Sequence, residues 1–276
     1  MDGSLRTAKG REPTASPLDV RDAARLGQFR PLLQPVVDMR DTTRVLAAES
    51  LLRWHHPYRG VLAPAQFLHL LEEAGLLAET DLAMVEAVTA DLGSLDHHLG
   101  HRLGRLWFNM SAAEMYDDGF LELLTSTVAR CGVAADRVGI DISEAALVAD
   151  PAGVKRRMAA VCEHGFVVAV DQFGLSSTSI DHVKELPVDV VKLDRSLIGT
   201  VEDNDTVRSF VSVVVYLVHA SGTSVLAQGV ERQGQADILV DLGCDSAQGY
   251  LFGVPGPWER MPARSELTLP PDAWFG

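Results

Sequence analysis

The stretch of sequence that decides the fold is Phe166-Val-Val-Ala-Val-Asp-Gln-Phe-Gly174. It is apolar throughout and rich in β-branched residues, which is typical of a strand buried on both faces. The stretch ends in Asp171 and Gln172, and parallel α/β proteins place their chemistry at this end of a strand. Taken alone, Asp171 is equally consistent with an acid that caps the following turn.

The same pattern recurs along the chain and predicts the architecture. Eight strand-like segments, most of them followed by a helix-like segment, favour a modified TIM (β/α)8-type barrel. The first two strands, at residues 29–39 and 45–54, are separated by a short polar turn at residues 40–43, which predicts that the first strand runs antiparallel to the others. A doubly wound open sheet is the alternative, but no Gly-rich phosphate loop follows the first strand.

Composition limits the domain organisation and the partners. The 276 residues carry a formal net charge of -14, which argues against binding of nucleic acid or of an anionic membrane. Cys131, Cys162 and Cys244 show no disulfide or zinc spacing, so a cytoplasmic location is expected. We expect a disordered tail at residues 1–18, a barrel domain at 19–262 and a C-terminal tail at 263–276.

Polar residues stand in or just after almost every predicted strand. Burying so many polar groups is costly unless they bind a metal or one another. Glu49, Asn109, Glu144 and Asp171 offer oxygen donors without a His or Cys, which suits Mg²⁺ or Mn²⁺ rather than zinc. Lys192 would add a positive charge beside a phosphate.

These polar residues occur in an ordered series of motifs that resembles the EAL domain family, which hydrolyses cyclic di-GMP. The resemblance runs from about residue 29 to residue 257 and implies the barrel fold. The motifs are Gln34-Pro35, Glu49-Ser-Leu-Leu-Arg-Trp54, Phe108-Asn-Met-Ser111, Asp141-Ile-Ser-Glu144, Asp171-Gln-Phe-Gly174, Val188-Asp-Val-Val-Lys-Leu-Asp194, Gln228-Gly-Val-Glu231 and Gly243-Cys-Asp-Ser-Ala-Gln-Gly-Tyr-Leu-Phe252.

The resemblance implies a role for each matching residue. The metal ligands would be Glu49, Asn109, Glu144 and Asp171. Lys192, with Asp194 beside it, would orient the attacking water. The residues that would bind the dinucleotide are Gln34, Leu51, Arg53, Asp194, Glu231 and Gln248.

Two of the catalytic positions depart from the family pattern. Gln172 replaces the second Asp of the family's DDFG motif, and Gln228 replaces the first Glu of EGVE. A neutral amide cannot act as a general base, so both changes weaken the half of the site that serves the second metal and the water. The loop at residues 175–179 also differs from that of the family. In the family this loop couples dimerisation to metal binding, so the difference suggests that the coupling is relaxed in this chain.

Three functions follow from this pattern, in order of preference. The first is a receptor that binds cyclic di-GMP without efficient hydrolysis. The second is a slow or conditional metal-dependent phosphodiesterase that yields linear pGpG. The third is a protein-interaction module that has lost nucleotide binding. A homodimer or an effector protein is the expected partner, because no output domain is recognisable in the sequence.

Overall fold

The computed structural model describes residues 17–175 and 186–262. Contacts within the chain divide it into two compact units. The smaller unit contains residues 17–30 and 53–80 of the described chain, and the larger contains residues 31–52 and 81–262 apart from the undescribed 176–185. The expected tails lie wholly or largely outside the described residues. The sequence also predicts a short helix at residues 179–186, and all but the last of these residues lie outside the described ranges.

Nine strands form the sheet in the described part of the chain. Their bounds are β1 Phe29–Asp38, β2 Asp41–His56, β3 Gly60–Leu62, β4 Arg105–Asn109, β5 Val138–Ser143, β6 Val167–Phe173, β7 Val190–Leu193, β8 Ser224–Gln228 and β9 Ser246–Gln248. Eight of them close into a TIM-like barrel in the order β1-β9-β8-β7-β6-β5-β4-β2, with β1 also paired to β2. The predicted barrel is thus confirmed.

The first strand runs against the rest, as the hairpin pattern predicted. Strands β2 and β4 to β9 run parallel to one another, whereas β1 pairs antiparallel with β9 through Val37 opposite Ala247. A tight turn at Met39 and Arg40 joins β1 to β2, so β2 begins four residues earlier than the sequence indicated. Because the parallel strands share one direction, their carboxyl ends meet at one end of the barrel.

Most of the helices follow a strand. Several of them begin at a residue whose side chain caps the first turn. Their bounds are α1 Pro17–Arg25, α2 Leu68–Ala74, α3 Leu77–Ala90, α4 Leu92–Leu99, α5 Ala112–Met115, α6 Asp118–Arg130, α7 Glu144–Ala149, α8 Pro151–Glu163, α9 Arg195–Thr200, α10 Asp205–Ala220 and α11 Gln233–Asp241. Within the described ranges, no helix has both the length and the apolar composition needed to cross a bilayer.

The smaller unit has an aromatic core of its own. Phe29, Trp54 and Phe67 are buried, and their ring centroids lie 5.3–5.8 Å apart. The Trp54 indole N–H donates to the side chain of Gln28 at 2.9 Å, so its one polar atom is satisfied. Strand β3 pairs here with the end of β2, through Trp54 opposite Leu62.

The interior of the barrel is filled by one large side chain among small and branched ones. Trp107 lies in a buried cluster with Val36, Ala47, Val167, Ala169, Val190 and Leu226. Gly139 is its neighbour on β5, and the two residues are directly opposite in the strand register. A Cβ atom added at Gly139 would lie 2.2 Å from the Trp107 ring, so the absence of a side chain at 139 makes room for the indole.

We therefore expect Gly139→Ala to lower the free energy of unfolding by about 1–3 kcal/mol, the usual cost of overpacking a core. Urea titration measures the change. Gly93→Ala is the matched control, because Gly93 lies in α4 with open space around its Cβ position, and alanine favours a helix. Adding Trp107→Leu to Gly139→Ala should recover part of the loss. Equal stability of the Gly139 variant and the wild type would contradict this account of the core.

Candidate functional site

The carboxyl ends of the parallel strands bring most of the predicted site residues to one end of the barrel. Glu49 lies on β2, Asn109 ends β4, Asp171 lies on β6, Lys192 on β7, Gln228 ends β8 and Gln248 ends β9. Buried apolar residues precede each of them, so the sheet fixes where the polar side chains emerge. The site is built from acids, amides and one lysine.

Glu49 is the centre of a buried hydrogen-bond cluster. One carboxylate oxygen, Oε1, accepts a hydrogen from Asn109 Nδ2 at 3.2 Å, and the other, Oε2, accepts from Gln248 Nε2. Glu49 and Gln248 are buried, whereas Asn109 reaches the surface. Two amide donors thus satisfy an acid that would otherwise be costly to bury.

Asp171 is paired with the substituted residue Gln228. The Gln228 Nε2 amide donates to Asp171 Oδ1 at 2.8 Å. Burial raises the pKa of Asp171, and the charge of Glu49 adds to this, while Lys192 and the Gln228 hydrogen bond act in the opposite direction. An amide therefore faces this acid at the position where the family pattern has a glutamate.

Lys192 is completely buried and forms an ion pair with Asp141, which is also buried. Its ammonium lies 4.7 Å from the centroid of the Trp107 ring, in cation–π contact. Burial alone lowers the pKa of Lys192, but the carboxylates of Asp141, Glu49 and Asp171 raise it, and the net shift is upward. Lys192 is therefore a fixed positive charge at neutral pH.

Glu144 lies at the start of α7 and holds the backbone that follows β6. Its Oε2 atom accepts hydrogens from the backbone N–H groups of Gly174 and Leu175, both at 3.1 Å. Ser143 caps the same helix by accepting from Ala146 N. In this arrangement Glu144 positions the end of the Asp171 strand.

Gln172 occupies an unusual backbone conformation. Its φ of 58° is the one positive value among the non-glycine residues that the structure describes. The register between β6 and β7 shifts between Val170 and Phe173, so Gln172 lies in a bulge with its side chain exposed. Left-handed backbone is unfavourable for most side chains, and Asn and Asp adopt it more readily than Gln does. Local strain of this kind is found at functional sites.

The remaining predicted residues have varied surroundings. Asp194 caps α9 by accepting from Ser196 N at 2.8 Å, and buried Gln34 donates to the carbonyl of Gly253 at 3.1 Å. Leu51 is partly buried and Glu231 is exposed. Arg53 lies on β2 in the smaller unit, whereas the cluster described above lies in the larger one.

Sequence reasoning gave no role to two residues that define the Lys192 environment, Asp141 and Trp107. Asp141 is an acid in an apolar stretch of the sequence, and a buried lysine needs a counter-ion, so the pairing had a detectable signal. Trp107 had none, because its contact with Lys192 joins β4 and β7, which are not neighbours in the sheet.

The donor set can be compared with what a divalent cation requires. Three carboxylates and one amide carbonyl suit Mg²⁺ or Mn²⁺ by chemistry. Within residues 17–175 and 186–262, however, no three His, Cys, Asp or Glu side chains are placed to hold a metal ion. The oxygens of Glu49 and one oxygen of Asp171 accept amide hydrogens instead. A metal site therefore remains a prediction for this chain.

The barrel and its polar end together define a TIM-like barrel protein whose site is built from acids, amides and one lysine at the carboxyl ends of the strands. The model of the EAL domain matches residues 18–255. The chain belongs to the EAL domain family.

Named relatives and solved structures agree with this assignment. The chain is 31% identical over 235 residues to the cyclic di-GMP phosphodiesterase RocR of Pseudomonas aeruginosa, covering 85% of this chain and 59% of RocR. A solved PaMucR phosphodiesterase in complex with c-di-GMP has a TM-score of 0.82 at 27% identity, covering 89% of this chain and 98% of that one. The FimX EAL domain of Pseudomonas aeruginosa bound to c-di-GMP has a TM-score of 0.73 at 25% identity, and the match covers 86% of this chain and 94% of that one.

Some relatives are much longer than the matched region. The chain spans 32% of the length of an uncharacterised Azorhizobium caulinodans protein and 41% of Rv1354c of Mycobacterium tuberculosis.

Proposed function

We propose that this chain binds cyclic di-GMP and hydrolyses it poorly or not at all, so that it acts as a receptor for the nucleotide. The observation that carries the proposal is the 2.8 Å hydrogen bond from Gln228 Nε2 to Asp171. An ionised carboxylate only accepts hydrogens, so Gln228 turns its NH₂ group, and not its oxygen, toward the acid. The amide stabilises Asp171 without supplying a base or a negative charge for a cation.

Retention of the other polar residues supports nucleotide binding. Lys192 supplies a permanent positive charge, and Asn109 and Gln248 supply amide groups close to it in the same barrel end. Arg53 is proposed to contact a ligand phosphate, because a guanidinium binds phosphate through two parallel hydrogen bonds. Gln34, Leu51, Asp194 and Glu231 are proposed to line the dinucleotide pocket.

A slow or conditional phosphodiesterase is the second candidate. The oxygen donors Glu49, Asn109, Glu144 and Asp171 are all present, which supports one cation, Mg²⁺ or Mn²⁺, held more weakly than in an intact member. The amide groups of Asn109 and Gln248 would have to turn away from Glu49 for its oxygens to face a cation. Activity would then depend steeply on metal concentration.

A protein partner or a second copy of the chain is proposed to receive the signal. Phe210, Val213 and Tyr216 lie three residues apart on α10 and are exposed, which makes an apolar outer face. Exposed apolar faces of this kind mark interaction surfaces more often than isolated apolar residues do. The third candidate function is a protein-interaction module, and this exposed face is its main support.

Calorimetric titration with cyclic di-GMP, with and without Mg²⁺, tests the proposal directly. We expect saturable binding, and chromatography of the same mixture should show little linear dinucleotide. Arg53→Ala should weaken binding at least tenfold, or about 1.4 kcal/mol. Arg25→Ala is the control in the same unit, since Arg25 is exposed and pairs with Asp22. Rapid conversion to the linear product, or an affinity that Arg53→Ala leaves unchanged, would contradict the proposal.

A further inference from the structure

A buried glutamine outside the candidate site joins the two chain segments that follow β7 and β8. Gln235 lies in the first turn of α11, and only 1% of its surface is exposed. Its Oε1 atom accepts from the backbone N–H groups of Glu231 at 2.8 Å and Arg232 at 3.0 Å. Its Nε2 group donates to the carbonyl oxygen of Ile198 at 3.1 Å. One amide therefore satisfies backbone groups on both sides of it.

The partners of this amide fix its orientation. Two N–H donors face the oxygen of Gln235, and a carbonyl faces its NH₂ group. A rotation of the amide by half a turn would set donor against donor and acceptor against acceptor. A buried amide without partners is costly, so the glutamine is held in the one orientation that satisfies it.

Both segments that Gln235 joins carry predicted site residues. Ile198 lies on α9, which follows β7 and is capped by Asp194. The other segment, residues 229–232, follows β8, which ends at Gln228. The amide thus links the backbone beyond the lysine strand to the backbone beyond the strand that ends in the substituted glutamine.

The segment at residues 229–232 lies directly against α9. Gly229 has a φ of 74°, and a Cβ atom added there would lie 2.5 Å from the Cβ atom of Arg195. On its other side, the backbone N–H of Val230 donates to the carbonyl of Gln248, which ends β9, at 3.1 Å. The segment is therefore held between α9 and the end of β9.

Arg232 also reaches α9, but from the surface. Its Nη2 group donates to the carbonyl of Gly199 at 3.3 Å, and its Nε group donates to Glu202 at 2.5 Å. Half of the Arg232 side chain is exposed, and exposed ion pairs contribute little to stability. The buried amide of Gln235 is therefore the stronger link to α9.

Capping of α11 accounts for only one of the three hydrogen bonds of Gln235. A Gln or Glu at the third helical position often accepts from the backbone N–H of the N-cap residue, here Arg232. The bonds to Glu231 and to Ile198, which is 37 residues away in sequence, lie outside that motif. A glutamate would cap the helix equally well, but an ionised carboxylate could not donate to Ile198. The link to α9 therefore explains the choice of glutamine.

We propose that Gln235 is a positioning residue, which holds the segment at residues 229–232 against α9 and keeps Glu231 and Asp194 in a fixed relation before the ligand binds. A segment that is ordered in advance costs less binding free energy than one that the ligand must order. The claim about affinity rests on the proposed function, in which both acids line the dinucleotide pocket. The claim about the backbone concerns the folded chain alone.

Hydrogen exchange followed by NMR tests the backbone claim without ligand. Gln235→Met keeps the length of the side chain but removes the amide, so the N–H groups of Glu231 and Arg232 lose their acceptor. Their exchange should become at least about tenfold faster, since local opening no longer breaks these bonds. The increase should exceed any increase at Val214 and Val215, which lie on the buried face of α10 and report loss of stability in the whole unit.

Gln233→Met is the matched control on the same helix. Gln233 is exposed and donates to Asp237 at 2.8 Å, one turn further along α11. The control should leave the exchange of Glu231 and Arg232 unchanged. Equal exchange at these two positions in Gln235→Met and in the control would overturn the backbone claim.

Calorimetric titration with cyclic di-GMP tests the effect on the ligand. Gln235→Met should weaken binding at least about fivefold, because the ligand must then order the segment. Gln235→Glu separates positioning from capping, since it keeps the acceptor and loses the donor to Ile198. It is measured at about pH 8, well above the ordinary pKa of a carboxyl group. Wild-type affinity in Gln235→Glu would overturn the positioning role, because capping alone would then suffice.

Gly229→Ala releases the same segment from its other end and does not touch Gln235. Its added methyl group would push the segment away from Arg195, so ligand affinity should fall here too. The two changes combined should cost less than the product of their separate fold-losses, because both release one segment. Losses that multiply fully would overturn this claim. Wild-type protein that does not bind cyclic di-GMP, while Gln235→Met shows fast exchange, would instead overturn the proposed function.

Discussion

Replacing Gln172 with Asp and Gln228 with Glu in one chain is expected to raise cyclic di-GMP hydrolysis at least about a hundredfold, the lower range of what a general base contributes. Each substitution alone should restore little, because groups that act on the same reaction step are strongly non-additive. The backbone favours the first change, since Asp tolerates the left-handed conformation at residue 172 better than Gln does. Measurement of linear product in Mg²⁺ and in Mn²⁺ checks the result.

The double variant should also acquire a dependence on metal for its stability. Gln228 donates to Asp171 at 2.8 Å, so a glutamate at 228 would place two negative charges in contact. Like charges raise one another's pKa and destabilise the site unless a cation lies between them. Thermal melts of the double variant should therefore rise with added Mg²⁺ or Mn²⁺ more than those of the wild type.

Gln172→Asn is the matched neutral control, since Asn suits the same backbone and carries no charge. It should leave both hydrolysis and metal dependence unchanged. If the double variant gains metal dependence but no activity, the defect lies in the divergent loop at residues 175–179, most of which is outside the described chain. Wild-type activity equal to that of the double variant would mean that the chain is an ordinary phosphodiesterase.

Lys192→Met is expected to lower the free energy of unfolding by about 3–5 kcal/mol, because it leaves Asp141 as a buried, unpaired charge. It should also abolish nucleotide binding, since the variant loses the positive charge of the site. Without the ammonium nothing opposes the effect of burial, which raises the pKa of Asp141. The variant should therefore gain more stability than the wild type as pH falls. Urea titrations at several pH values measure both effects.

Adding Asp141→Asn to Lys192→Met removes the unpaired charge and should recover much of the lost stability without restoring binding. Arg102→Met at an exposed position after α4 is the control, and it should change stability by less than about 0.5 kcal/mol. If Lys192→Met is as stable as the Arg102 variant, the Lys192–Asp141 pair is not a structural ion pair.

The barrel could be predicted from the sequence because its strands are short apolar runs ended by polar residues. The apolar run at residues 138–143 predicts a strand, and β5 has those bounds. The sequence also predicts a last strand at residues 246–252, but β9 ends at Gln248, and the next residue, Gly249, lies close to the backbone of Val230. The sequence predicts one amphipathic helix at residues 81–95, but this segment belongs to two helices, α3 and α4, which are separated at Asp91, just before the weak helix former Gly93.

The elements that could not be predicted are short or depend on distant contacts. Helices α5, α7 and α9 have four to six residues, too few for a periodic pattern, although Ser111, Ser143 and Asp194 cap them. The motifs indicated which side chains reach the end of the barrel. They did not indicate that Gln228 turns its amide toward Asp171, because that pairing depends on tertiary packing.

The reversed first strand has a consequence for the synthesis of the chain. Strand β1 pairs with β2, its neighbour in sequence, and with β9, near the other end of the described chain. While the ribosome is still producing the strands between them, one edge of β1 has no partner, and exposed strand edges promote association between chains. The barrel closes only after residues 246 and 247 have emerged. The growing chain should therefore need protection by chaperones until β9 has been synthesised.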